Sequence, residues 1–506
     1  MKRILKGNAL LYSVACFASM GQFLFGYDQG VLSGILVNER WLNLFGYPNA
    51  TMQGLVVAIF ELGAWFTAYP TSWFMDRIGR RWTIMVGALI FIVGGVLQTA
   101  SNTMIQLLFG RLIAGFGIGF LSTVLPVYTA ELSRAHNRGK VTVFGMSINM
   151  LGYTASEFID YGFTYVDSEW SFRGPLLLQV VFALILAVGT LLLPESPRYL
   201  IAKHHDKLAI KTLSDLHGKD QDHPLVNAEY DEIKTALDIE EKLGQPTWKE
   251  MFTIYRKRSM IGIAVQALGQ MSGINIVTYY APKMYETVLG PGNQTILFAG
   301  FTALVYFFGA IIAAFLVDRV GRRPLFMAGS CAMVVWLTLM AVFNKVALGL
   351  TSAILVIVFT MIYVGTFGMT WACVDWLYPA EIFPFRTRAK GMSLAVSSNW
   401  LSNFAVGLWT PPLLEAIGWA TYLFYAAWNL VALFVVWKWF VETKGKSLEE
   451  IDAIFNDGAG ATEIDELTDE KKAGNARVQQ ERSIISVNEF DNQDQIKPDQ
   501  NHKENV

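Results

Sequence analysis

The sequence predicts an all-α membrane protein with twelve transmembrane helices in two six-helix halves. Three observations lead there. Hydrophobic residues make up 53% of the 506 residues and charged residues only 16%, where soluble domains carry roughly 25% charge. The apolar residues gather into six runs, near 10 to 36, 54 to 75, 82 to 100, 105 to 129, 141 to 160 and 175 to 193, and six more, near 259 to 281, 296 to 317, 325 to 343, 353 to 378, 391 to 412 and 419 to 441. Most are close to the roughly 20 residues that cross a bilayer. Finally, short charged motifs in the first set return in the second.

The first run follows Lys2, Arg3 and Lys6 and superficially resembles a secretory signal, but it is too long for a signal core and reads as an uncleaved first helix. Within it lies Gln22-Phe23-Leu24-Phe25-Gly26-Tyr27-Asp28-Gln29-Gly30-Val31, whose single carboxylate, Asp28, sits midway along an otherwise apolar, aromatic or small stretch. An ionisable group at that depth is costly unless partnered and marks a functional site by default. Arg111, the only basic residue of the fourth run, is the natural partner. Burial favours the neutral carboxyl and a nearby guanidinium favours the charged one, so separating the two would switch Asp28 between holding and releasing a proton. The alternative is a static ion pair that keeps spans one and four in register. Glu61, in the second run, is a further intramembrane acid that either supports Asp28 or bonds to backbone.

Short loops set the orientation. Arg77, Arg80 and Arg81, then Arg134, Arg138 and Lys140, then Arg319, Arg322 and Arg323 fall on one side, which the positive-inside rule makes cytoplasmic together with both termini. The two Asn-x-Thr sequons, at Asn49 and Asn293, fall in loops on the other side, where glycosylation is possible.

Asp76-Arg77-Ile78-Gly79-Arg80-Arg81 returns as Asp318-Arg319-Val320-Gly321-Arg322-Arg323, Glu131 with Arg138 returns as Glu381 with Arg388, and Pro194-Glu195-Ser196-Pro197-Arg198 has a weaker echo around Glu442, displaced by 242, 250 and 247 residues. Three motifs at nearly one offset imply duplication, an arrangement that puts a substrate site at the midplane between the halves. The repeated charges are expected to pair at the cytoplasmic helix ends and tie the halves together there. The alternative is simple anchoring at the interface.

The domain boundaries follow: residues 1–195 form the first half, 196–258 a cytoplasmic linker, 259–445 the second half and 446–506 a tail. The linker, with Leu208, Leu213 and Leu216 at helical spacing, reads as short amphipathic helices. The tail opens on Ser447-Leu448-Glu449-Glu450, a capping box for a helix to Phe455, and beyond Gly458 its acidic, amide-rich composition reads as disorder.

Amides and aromatic faces suit a polyhydroxy ligand. Span seven offers Gln266, Gln270, Asn275, Tyr279 and Tyr280, with Gln266, Gln270 and Tyr280 expected on one helix face; spans ten and eleven add Trp376, Asn399, Trp400 and Asn403. Any one of these amides could instead hold neighbouring helices together. Gly115-Phe116-Gly117-Ile118-Gly119 has no preceding strand and reads as close helix packing rather than a nucleotide loop.

The net charge of −2 argues against a nucleic-acid partner. Cys16, Cys331 and Cys373 give neither a disulfide framework nor metal-ligand spacing. No nucleophilic or metal constellation stands out, so neither an enzyme nor a cofactor is expected.

Phe25-Gly26-Tyr27-Asp28, Gly110-Arg111 with Gly115, Gly117 and Gly119, Pro126-x-Tyr128-x-x-Glu131, Pro194-Glu195-Ser196-Pro197-Arg198, Gly273-x-Asn275 with Tyr279-Tyr280, and Tyr378-Pro379-Ala380-Glu381 together resemble the sugar porter family of the major facilitator superfamily over roughly residues 10 to 455, most closely its fungal hexose, pentose and polyol branch. The resemblance implies the major-facilitator fold and alternating access. It also implies that Asp28 and Arg111 form the proton site of a symporter, where facilitators commonly have an amide at the acid's position. The expectation is a plasma-membrane, proton-coupled monosaccharide or polyol importer acting as a monomer in the bilayer; a passive facilitator and a transporter-like sugar receptor are the alternatives. The chain departs from the family at Met146, Gly269 and Tyr306, where amides are usual, and at Ala372-Cys373 and Asp375 in span ten. These positions, with Phe25, are candidates for setting specificity.

Overall fold

In a computed structural model, which describes residues 7–132, 138–243, 247–346, 349–384, 386–446 and 448–455, every apolar run becomes helix. The first half comprises α1 (Asn8–Ile35), the short α2 (Glu39–Leu44), α3 (Ala50–Ile78), α4 (Arg80–Thr99), α5 (Met104–Leu132), α6 (Arg138–Phe163) and α7 (Trp170–Thr190). A linker follows as α8 (Pro197–Ala202), α9 (Asp206–His217), α10 (Pro224–Leu243) and α11 (Trp248–Thr253). The second half comprises α12 (Arg256–Met271), α13 (Ile274–Leu289), α14 (Gln294–Val320), α15 (Arg322–Val346), α16 (Leu350–Thr370), α17 (Val374–Ile382), α18 (Arg388–Ile417) and α19 (Ala420–Trp439), and α20 (Leu448–Phe455) ends the described chain. Lys2, Arg3, Lys6, Arg134, the Ser447 cap, the chain beyond Phe455 and the side chain of Arg138 lie outside the described residues.

Two spans are split. α12 and α13 are separated at Gly273, whose φ of +98° is a left-handed conformation, and whose added Cβ would sit 2.8 Å from the Tyr425 ring. Only glycine meets both demands at low cost. α16 and α17 are separated around Ala372. With each split pair counted as one span, the twelve expected spans are present. Nine segments among the described residues are long and apolar enough to cross a bilayer. Of the other long helices, α18 is diluted by Ser397, Ser398, Asn399, Ser402 and Asn403, and α6 by Asn149, Thr154, Glu157 and Asp160.

Each half has its own apolar core, and Phe66, Trp73, Phe109, Phe315 and Trp437 point outward, as a lipid-facing surface requires. The halves meet along α3 with α18, α6 with α14 and α1 with α13. A further apolar cluster joins Tyr27, Val31, Val56 and Val57 to Tyr279 and Tyr280, at the end of the bundle away from the linker, called here the far end. The asparagines of both sequons stand exposed at that end. The Gly115 stretch does pack helices: an added Cβ would lie 2.1 Å from the Phe60 carbonyl at Gly115 and 2.6 Å from the Phe91 nitrogen at Gly117. In the linker, Leu213 and Leu216 are buried as expected, but Leu208 is exposed; the inward stripe is Ala209, Leu213 and Leu216.

Candidate functional site

Asp28 on α1 and Arg111 on α5 are 1% and 2% exposed, and the Arg111 Nη1 lies 2.9 Å from both carboxylate oxygens. Arg111 also donates through Nε to the Val56 carbonyl at 3.2 Å, and its guanidinium lies over the Phe60 ring, 4.3 Å from the centroid. Three helices therefore fix one cation. A buried ion pair is tolerated only where its charges are matched as closely as these are.

Beside it, Glu61 on α3 accepts a hydrogen bond from the Tyr279 hydroxyl at 2.7 Å. That hydroxyl accepts from Asn403 Nδ2 at 3.0 Å, Asn403 Oδ1 accepts from Asn275 Nδ2 at 2.8 Å, and the same Asn275 amide lies 2.6 Å from Gln270 Oε1. A continuous polar chain thus runs from the second half's amides to an acid of the first half.

Gln270, Asn275, Asn399 and Asn403 line a cavity between the halves, together with Phe25, Met146, Tyr306, Asp375 and Trp376. Its free space, open mouth included, comes to about 790 Å³. Its lining reaches Ser122, Pro126 and Met146 in the linker-side halves of α5 and α6. At the far end the halves are joined by the Tyr279 to Glu61 bond and by Lys283, which donates to Gln53.

Four expected ligand contacts lie elsewhere. Gln266 is fully buried, donates to the Asp375 carbonyl at 2.9 Å and accepts from Asn399 at 2.7 Å, so it positions lining residues without reaching the cavity. Tyr279 is occupied as described, and Tyr280 donates to the Gly407 carbonyl at 2.7 Å. The break at Gly273 explains why Gln266, Gln270 and Tyr280 do not share a face: helical register does not carry across it. Trp400 is 1% exposed and packs on Phe25 with ring centroids 5.4 Å apart. Gly269 lies behind Asp375 rather than in the lining; an added Cβ would be 3.0 Å from Asp375 Oδ2.

The sequence reading passed over several residues. Gln22, Gln29, Asn149 and Thr278 line the cavity; polar side chains in the first, fifth and seventh runs were the available signal. Glu157 and Asp160 on α6 are buried against α1, where Ser33 donates to Glu157. Two acids three residues apart at the end of an apolar run could have flagged them.

Among the described contacts, the repeated charges pair within their own half. Arg80 donates to Glu131 at 3.0 Å and stands 3.7 Å from Asp76, while Glu195 accepts from the Arg80 nitrogen at 2.9 Å. The duplicate set matches: Arg322 lies 2.7 Å from Glu381 and 3.4 Å from Asp318, and Glu442 accepts from the Arg322 nitrogen at 3.0 Å. Tyr128 donates to the Pro194 carbonyl at 2.6 Å, as Tyr378 does to the Val441 carbonyl at 2.9 Å. The physical reason is reach: each arginine starts a helix whose own half supplies the facing carboxylates. Arg388 donates weakly to the Phe383 carbonyl at 3.4 Å, and Arg198 lies within α8.

Comparison with known proteins agrees with this architecture. The profile of the family described as sugar (and other) transporter matches residues 14–455. A high glucose sensor of Saccharomyces cerevisiae is 33% identical over 471 residues, covering 89% of this chain and 61% of the sensor's length. A major facilitator superfamily transporter of Aspergillus fumigatus is 32% identical, covering 89% of this chain and 87% of that protein. Among solved structures, the proton:xylose symporter XylE bound to 6-bromo-6-deoxy-D-glucose superposes with a TM-score of 0.73 at 26% identity, covering 88% of this chain and 99% of that one. The chain therefore belongs to the sugar transporter family of the major facilitator superfamily, a family of transporters and related sensors rather than enzymes.

Proposed function

We propose that the protein imports a monosaccharide or polyol across the plasma membrane by proton symport through alternating access, with both termini cytoplasmic. The observation that carries this reading is the buried Asp28 with Arg111 at 2.9 Å: a carboxylate whose only strong reason to ionise is one guanidinium becomes a proton carrier when that guanidinium moves away. The relative crystallised as a proton:xylose symporter supports the same chemistry. The conformation fits the inward-facing side of the cycle, because the far end is bridged by Tyr279 with Glu61 while the cavity extends toward the linker.

Asn275, Gln270, Asn399 and Asn403 would meet hydroxyl groups, and Trp376 the apolar face of the ring. Asp76, Arg80, Glu131, Glu195 and their counterparts Asp318, Arg322, Glu381 and Glu442 would act by keeping each half rigid, and gating would fall to the contacts between halves. A potential of about 100 mV supplies roughly 2.3 kcal/mol per charge and one pH unit roughly 1.4. At tenfold per 1.4 kcal/mol, one proton supports accumulation of several hundredfold at most.

The test is uptake of a labelled sugar panel at two pH values, with and without a protonophore, in cells lacking endogenous sugar uptake. Accumulation that collapses with the protonophore supports symport, and equilibration alone would make the protein a facilitator. A protein that moves no sugar but alters gene expression would be a receptor, the reading favoured by its similarity to a glucose sensor.

A further inference from the structure

We propose that the cavity selects a sugar bearing an amine, with Asp375 as the counter-ion of the substrate ammonium. The inference rests on the transport reading and narrows its substrate.

Asp375 stands in the first turn of α17, directly after the break in span ten, and is part of the cavity lining. It is only 2% exposed, and its Oδ1 has no hydrogen-bond partner. No lysine or arginine is among the described residues lining the cavity. A buried acceptor left unmatched is costly, and a buried anion more so, so the missing partner is one the ligand can bring.

Behind Asp375, Gly269 gives the carboxylate room, since even a Cβ there would lie 3.0 Å from Oδ2. A side chain there would crowd the carboxylate. Across the cavity, Gln270, Asn275 and Asn403 offer amides for hydroxyl groups, and Trp376 offers an aromatic face. A primary ammonium brings three donors, which suits the free Oδ1 and its neighbours. A sugar carboxylate would meet Asp375 as a like charge, so acidic sugars are disfavoured.

The test uses the full-length protein in lipid nanodiscs and follows tryptophan fluorescence during titration with D-glucosamine, D-glucose and N-acetyl-D-glucosamine, the last keeping the nitrogen but losing its charge. Wild type is expected to bind D-glucosamine at least tenfold more tightly than either neutral sugar. Asp375→Asn should bring that ratio to about one, and Asp375→Glu should retain a preference. A wild-type ratio of one or less overturns the proposal, as does a preference that survives Asp375→Asn; the wild-type ratio decides even if a variant fails to fold. Vesicle uptake separates the two readings: amine preference without uptake would refute the transport reading alone, and proton-driven uptake without amine preference would refute this one alone.

Discussion

The Tyr279 hydroxyl donates to Glu61 at 2.7 Å across the boundary between the halves, and it is the point at which the amides of the cavity reach the acids of the first half. Tyr279→Phe leaves Glu61 without that donor, at a cost of about 1–3 kcal/mol. The far end should then open more often, by roughly 5- to 150-fold in population. Labelling of a cysteine introduced at the far end by a membrane-impermeant thiol reagent, in a background lacking Cys16, Cys331 and Cys373, measures this; unchanged labelling would count against Tyr279 as a latch.

Asp28 separates coupling from folding. In Asp28→Asn the amide oxygen still accepts from Arg111, so the protein should fold and exchange sugar but lose protonophore-sensitive accumulation. Asp28→Ala strands the guanidinium in the bilayer interior and should cost about 3–5 kcal/mol, seen as a lower melting temperature. Accumulation that persists in Asp28→Asn would leave the pair a static strut.

In the linker, Glu250 lies 2.8 Å from Arg386. Burial raises its carboxyl's value, but hydrogen bonds from Arg386 and Thr247 outweigh that and hold it below the ordinary glutamate range. A lowered folded-state value means the contribution is present above the unfolded value and disappears as pH falls through the folded one. Glu250→Gln should therefore melt below wild type near neutral pH and converge with it in acid, as thermal unfolding at several pH values will read.

Asn49 and Asn293 stand exposed at the same end. If that end faces the secretory lumen, Asn49→Gln and Asn293→Gln should each remove one glycan, visible as a gel shift abolished by glycosidase. Glycans at neither site in a secretory host would undermine the orientation.

Much of the fold was readable because a bilayer demands long apolar runs and because the duplicated motifs kept their spacing. Asp28 and Arg111 were readable as a pair because each is the only charge of its sign in its run. The site's finer geometry was not. Periodicity put Gln266, Gln270 and Tyr280 on one face, and only the chain break at Gly273 shows why that register fails. Spacing likewise showed that Glu131 and Glu381 need partners, but not that each would find its arginine inside its own half. Glu157 and Asp160 were overlooked because their role depends on how closely α6 approaches α1, where Ser33 meets Glu157.

The duplicated arginine clamps have a mechanical consequence. Arg80 with Glu131, and Arg322 with Glu381, weld their helices at the linker end without bridging the two blocks. A rocking motion could therefore leave both welds intact while exchanging the few bonds along the seam, so the stroke would cost only what the seam holds. Variation at the seam would retune turnover, whereas damage to a weld would soften the lever itself.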